Sequence, residues 1–353
     1  MQVTIYDVAK KANVGIGTVS RVINNSPQIS PKTREKVLKV IKELKYQPSA
    51  MAQRLARKCT NTIACIVPFF TGYFYFELLR GVQQEVSELG YDLILYSVDV
   101  FEKKEEIFKK TIRERRADGI LIISMTISDK FANRFLQAKL PVALVDSFHQ
   151  DLDSITIENK EGAYSATQHL INMGHVNLGM INGSLESVPA RIRLNGFKEA
   201  LAENHIIPDE RFILNVSESA NADEKQNDGF NKAAGYNAMK SVLERAEPRP
   251  TAFFIASDIQ AAGAMKAVQE KNLKIPEDIA IVGFDDIELS EYLGLSTMKQ
   301  PMFEMGKIAI EQLINKIENG SSNGAFKKVL HPELIIRDTC GAKNNKRLIV
   351  HNK

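Results

Sequence analysis

From residue 62 onward, short β-rich runs alternate with helical stretches, and this alternation constrains the fold more than any other feature of the chain. Apolar and β-branched runs at 62–67, 91–97, 119–124, 141–145, 177–181, 251–256 and 279–282 read as strands. Between them, helical spacing of apolar residues predicts helices over 76–89, 104–115, 160–173, 194–203, 235–243 and 261–271. Parallel strands cannot be joined by a tight turn, so each helix serves as a crossover and covers a sheet face. The pattern runs twice, before and after about residue 158, with no low-complexity linker between the halves. The expectation is an α/β core of two doubly wound lobes, with ligands held in a cleft at the carboxyl ends of the strands.

The first 58 residues depart from this pattern and from its charge. They hold twelve Lys/Arg against three Asp/Glu, a net +9, whereas the rest of the chain holds 34 against 40, a net −6. A split of this kind favours a polyanionic partner at the amino-terminal end and predicts salt-dependent binding. Thr4 can cap a helix over 5–12, Asn13-Val14-Gly15 reads as a tight turn, and a second helix follows over 17–24. Ser30-Pro31 starts a third helix running to about residue 44, with Val37, Leu38, Ile41 and Leu44 as its apolar stripe. Helix, turn and second helix make an all-α helix-turn-helix unit, whose second helix can enter a major groove. A small bundle that binds protein is the alternative. After Tyr46-Gln47-Pro48, the stretch Ser49–Arg57 is helix-compatible but too short to be stable alone, as suits a hinge helix ordered by DNA.

The TVSRVIN core, the KTREKV helix and the Tyr-x-Pro hinge entry occur together and in order. On these motifs the chain resembles the LacI/GalR family of bacterial transcriptional regulators, to about residue 341. The resemblance implies a helix-turn-helix domain at 1–47, a hinge helix and linker at 48–60, a periplasmic-binding-protein-like effector core at 61–341 with three strands crossing between the lobes, and a basic, disordered tail at 342–353. It places Ile16, Gly17 and Arg21 where bases are read. Arg21 can donate two hydrogen bonds to a guanine edge, Ile16 can touch a thymine methyl, and Gly17 replaces a larger residue. Thr18 and Ser20, with Thr4, Tyr6 and Asn24, complete the DNA-contacting set, the first two as phosphate contacts. Leu55 matches the leucine that wedges into the minor groove; packing between two hinge helices is its other reading.

In the core, the aromatic loop Phe69–Phe76 follows the first strand, and Phe74 and Tyr75 align with pocket aromatics. Asp99 and Asp146 follow later strands, and Arg193 matches an effector-binding arginine. Phe230 stands at a stacking position, Ser257-Asp258 resembles an Asn-Asp pair, and Asp285 belongs to the signature Gly283-Phe284-Asp285-Asp286. Asp258 and Asp285 could instead cap the helices that follow them. Gln300 is a cleft or crossover residue.

The function expected is a sequence-specific, homodimeric regulator, a repressor by resemblance, of a pseudo-palindromic double-stranded operator, tuned by a sugar or sugar derivative. Two alternatives stay open: a phosphocarrier protein as corepressor, or a sugar-binding protein without regulatory activity. Cys59, Cys65 and Cys340 make neither a disulfide framework nor a zinc spacing, and the six histidines form no metal set. No apolar run approaches the roughly 18 residues of a membrane span, and the amino terminus lacks a signal peptide. A cytoplasmic protein without cofactor, metal or catalytic triad is therefore expected.

Overall fold

The computed structural model describes residues 3–24, 26–46, 59–68, 72–98, 101–217, 220–245, 248–320 and 324–342. The chain divides into two compact units, residues 1–61 and 62–353. The hinge stretch 48–58 including Leu55, the loop residues Phe69 and Phe70, Asp99, and the tail from 343 lie outside the described residues.

Among its described residues the first unit forms three helices: α1 (Ile5–Ala12), α2 (Ile16–Ile23) and α3 (Pro31–Glu43). Asp7 accepts from both the backbone N–H (2.9 Å) and the hydroxyl (2.7 Å) of Thr4, fixing the start of α1. Asn13, with φ of 47°, makes the left-handed turn into α2. Ser30 caps α3 by accepting from the Thr33 N–H at 3.3 Å, and Pro31 occupies the first turn. Val8, Ala9, Ala12, Val19, Val22, Val37 and Val40 close the small core. The expected stripe of α3 is corrected at one position. Leu38 is half exposed, and Val40 is buried in its place, because 37, 40, 41 and 44 follow the i, i+3, i+4, i+7 pattern of one helix face and 38 falls at its edge.

The second unit contains two six-stranded sheets. The first has the order β11-β5-β4-β3-β1-β2, built from β1 (Thr62–Val67), β2 (Asp92–Ser97), β3 (Gly119–Ile123), β4 (Val142–Val145), β5 (Asp153–Ile157) and β11 (Lys327–Leu330). The second has the order β12-β10-β9-β8-β6-β7, from β6 (Leu178–Ser184), β7 (Ile213–Val216), β8 (Ala252–Ile255), β9 (Ala280–Asp285), β10 (Ser296–Lys299) and β12 (Glu333–Ile335). Every pairing is parallel except β10 with β12. β1, β3 and β4 are buried throughout, as strands covered on both faces must be.

The chain crosses between the lobes three times. It leaves the first sheet after β5, and the helix Asn159–Asn172 then packs in the second lobe through Ala163, Ala166 and Leu170. It returns after β10, where Met302, Met305, Ala309, Ile310 and Leu313 of the helix Met302–Asn319 join Ile63, Cys65 and Val67. It crosses again between β11 and β12. The division near residue 158 is thus incomplete, because the late helix and β11 rejoin the first lobe. Among the described residues no helix is long and apolar enough to cross a membrane.

Candidate functional site

In the amino-terminal unit, burying Val19 and Val22 turns a different set of α2 side chains outward. Ile16 (41% exposed), Gly17 and Arg21 face solvent, while Thr18, Ser20 and Asn24 are half buried at the edges of that face. Thr4 and Tyr6, at the start of α1, are exposed. Arg21 forms no ion pair within the protein among the described residues and lies on the exposed face of α2, opposite the buried Val19 and Val22. A Cβ added at Gly17 would meet nothing within 4 Å, so packing within the chain does not demand a glycine there.

The second unit holds a cavity of about 590 Å³ between its two lobes. Its wall is made by the residues that follow strand ends: Ser124 after β3, Asp146 after β4, Ser187 after β6, Ser257 after β8, Asp285 at the end of β9 and Gln300 after β10. Parallel strands all end on the same side of their sheet, which is why residues far apart in sequence converge here.

Arg193 is the cation at the centre of this wall. It sits in the second turn of the helix Val188–Glu203, which begins six residues earlier than the spacing of its apolar residues predicts. Its Nε donates to Asn159 Oδ1 at 2.8 Å and its Nη1 to the Ala256 carbonyl at 2.5 Å. Its Cζ lies over the Phe284 ring, 3.8 Å from the ring centre, and 5.7 Å from the centre of the Phe230 ring. Burial lowers its pKa, opposed by the charges of Asp285, Asp146 and Asp258.

Asp285 faces Arg193 at 3.9 Å, and its Oδ1 accepts from Gln300 Nε2 at 2.6 Å. Burial pushes its carboxyl up to about 7, against the pull of Arg193. Asp146 Oδ2 accepts from the Ser124 hydroxyl at 2.8 Å, and burial raises its carboxyl to about 6. Phe74 and Tyr75 meet edge to face, their centroids 5.3 Å apart. Burial also raises the Tyr75 hydroxyl, which is hydrogen-bonded to Ser124.

Of the sequence-predicted effector residues, Phe74, Tyr75, Asp146, Arg193, Phe230, Ser257, Asp285 and Gln300 come together on the cavity wall. Asp258 does not; it lies beneath the wall. Its Oδ2 accepts from the Asp286 N–H (2.8 Å), the Ile287 N–H (3.2 Å) and the Ser290 hydroxyl (2.5 Å), and its Oδ1 from the Thr297 hydroxyl (2.6 Å). Burial raises it to about 6 despite these bonds. Asp285 and Asp286 have φ of 128° and 59°, an unfavourable stretch of backbone that this carboxylate pins from below. Gly283 is required here, because a Cβ would overlap Asp258 Oδ1. Ser257 caps the helix Asp258–Glu270 by accepting from the Gln260 N–H while also lining the cavity.

Sequence reasoning missed Ser124, Asn159, Glu186, Asp228 and Gln260. Ser124 was findable, since it follows a strand by the same rule that flags Asp146. Asp228 sits in an Asn227-Asp228-Gly229 turn with both Asn227 and Asp228 left-handed, which Gln260 secures by donating to the carbonyls of Asn182 and Gly229. Burial raises the Asp228 carboxyl.

Comparison with known proteins adds independent findings. Residues 4–49 match bacterial regulatory proteins of the lacI family, and residues 167–340 match the periplasmic binding protein-like domain. The chain is 33% identical over 355 residues to the HTH-type transcriptional regulator DegA of Bacillus subtilis (strain 168), covering 98% of this chain and 100% of the relative. It is similar to the solved complex of transcriptional regulator CelR with cellobiose: TM-score 0.69, 30% identity, 96% of this chain and 100% of that one. It is similar also to the lac repressor dimer bound to operator and the anti-inducer ONPF: TM-score 0.81, 28% identity, 96% and 99% covered.

Proposed function

The chain belongs to the LacI family of bacterial regulatory proteins, and from that premise we propose that it is a DNA-binding transcriptional repressor whose operator affinity is set by a sugar held between the two core lobes. One observation carries the reading. The same chain presents an exposed helix face with Ile16, Gly17 and Arg21 outward and, elsewhere, a cavity of about 590 Å³ that combines aromatic faces with buried polar groups. Aromatic faces suit sugar C–H surfaces, and fixed acceptors and a guanidinium suit hydroxyls. A formed polar cavity supports a small effector over a phosphocarrier protein as the partner of this site.

One α2 helix reads one half-site, so two copies of the chain reading a pseudo-palindrome in the cytoplasm complete the proposal. The sugar acts by binding one arrangement of the lobes more tightly than another, which shifts the population that can hold DNA. Relatives are solved with an operator and with cellobiose, and both partners are carried here by proposal.

Selection of duplexes from a random pool by the purified chain tests the DNA half of this reading. The expected outcome is a two-fold symmetric consensus. The Arg21→Ala variant should lose about 1–3 kcal/mol and relax preference at one base pair of each half-site. A pool that never enriches, or an Arg21→Ala profile identical to that of the parent, contradicts it.

A further inference from the structure

We infer that the molecule bound between the lobes is a polyhydroxylated sugar that carries neither phosphate nor carboxylate. This rests on the reading of the cavity as the effector site and narrows it to one chemical class.

The balance of charge on the wall is the first ground. Four carboxylates line the cavity, those of Asp146, Glu186, Asp228 and Asp285, and the cation facing them among the described residues is Arg193. That guanidinium is partly committed. Its Nε and Nη1 are bonded to Asn159 and Ala256, Asp285 stands 3.9 Å from Nη1, and its Cζ lies 3.8 Å from the centre of the Phe284 ring. Its Nη2 forms no hydrogen bond among the described residues, so both of its N–H groups remain for a ligand. Recognition of a phosphate or carboxylate draws on several donors, often in bidentate pairs. Here one guanidinium would have to offset an added anion as well as the four carboxylates already on the wall.

The hydrogen-bonding character of the wall is the second ground. Gln300 donates to Asp285, and its Oε1 is buried without a partner among the described residues. Ser124 and Gln300 each occupy one oxygen of Asp146 and Asp285. The other oxygen of each carboxylate, together with the carboxylate of Asp228, can only accept while ionised. A hydroxyl supplies the missing proton and can also accept from Arg193. A phosphate dianion or a carboxylate supplies none, and would set acceptors against the acceptors of Asp146 and Asp285.

The test titrates the full chain, by calorimetry and thermal shift, with ribose, glucose, maltose and cellobiose beside ribose 5-phosphate, glucose 6-phosphate and glucuronate. The same titrations are run on a Glu186→Gln/Asp228→Asn double variant, whose positions lie at the rim. The expected result is saturable binding of at least one neutral sugar, with its anionic derivative at least tenfold weaker. That ratio should narrow at least threefold in the double variant, and also at high ionic strength. An anionic derivative that binds as tightly as its parent sugar overturns the inference and leaves the sugar reading standing. A ratio unmoved in the double variant overturns the electrostatic cause. No response to any sugar, neutral or anionic, overturns the sugar reading and this inference together.

Discussion

Asp285 stands where three demands meet. It ends a buried strand, its φ of 128° is a conformation few residues other than glycine adopt, and its carboxyl lies 3.9 Å from Arg193. Its side chain faces the cavity. Its carboxyl, raised to about 7 by burial, makes a signed prediction. The folded-state value lies above the unfolded value of about 4, so the folded protein holds the proton more tightly. Its contribution to stability is therefore full below about pH 4 and is lost as pH rises through about 7. The Asp285→Asn variant has no such proton to lose, and Asn Oδ1 can still accept from Gln300. Thermal midpoints of the two proteins should diverge in favour of the variant between pH 5 and pH 8. A constant difference across that range would show that Asp285 does not titrate in this window.

At the scale of elements, α2 carries an unusual weakness. Gly15 caps it without a side chain, and Gly17 lies in its first turn with open space where a Cβ would go. Glycine in a helix costs up to about 1 kcal/mol relative to alanine. Gly17→Ala should therefore stabilise the amino-terminal unit by up to that amount in urea denaturation, while changing what α2 offers to a base edge. A loss of stability would mean that glycine is needed by the fold.

The same scale shows where the sequence was readable. β1, β3 and β4 are near-continuous apolar runs because helices cover both faces, and they were legible to within a residue or two. β5, β10, β11 and β12 were not. They are three to five residues long, too short to show a period, and they lie at the crossings, where long-range pairing rather than local pattern makes a strand. The first two turns of the helix Val188–Glu203 were hidden for a related reason. They face the cavity, so Arg193 stands where an apolar residue would have continued the period. Asp285 and Arg193 were found through motifs. The supporting role of Asp258 was not, because an aspartate after a strand looks the same whether it faces a ligand or holds up the turn that does.

For the whole molecule, the proposal joins two sites by a free energy rather than by a contact. A ligand that distinguishes the lobe arrangements by 1–3 kcal/mol changes affinity at the other site by about 5- to 150-fold, and the coupling is reciprocal. The three chain crossings between the lobes give the core a natural place to hinge, since they are the covalent links across which the sheets would move. The measurement that decides the matter is the Kd for a selected operator duplex, taken with and without a saturating sugar, in the parent chain and in Arg193→Gln. The proposal predicts a change of at least fivefold in the parent chain and its loss in Arg193→Gln, whose duplex affinity without sugar should persist. An operator Kd that stays the same while calorimetry shows the cavity filled would contradict it.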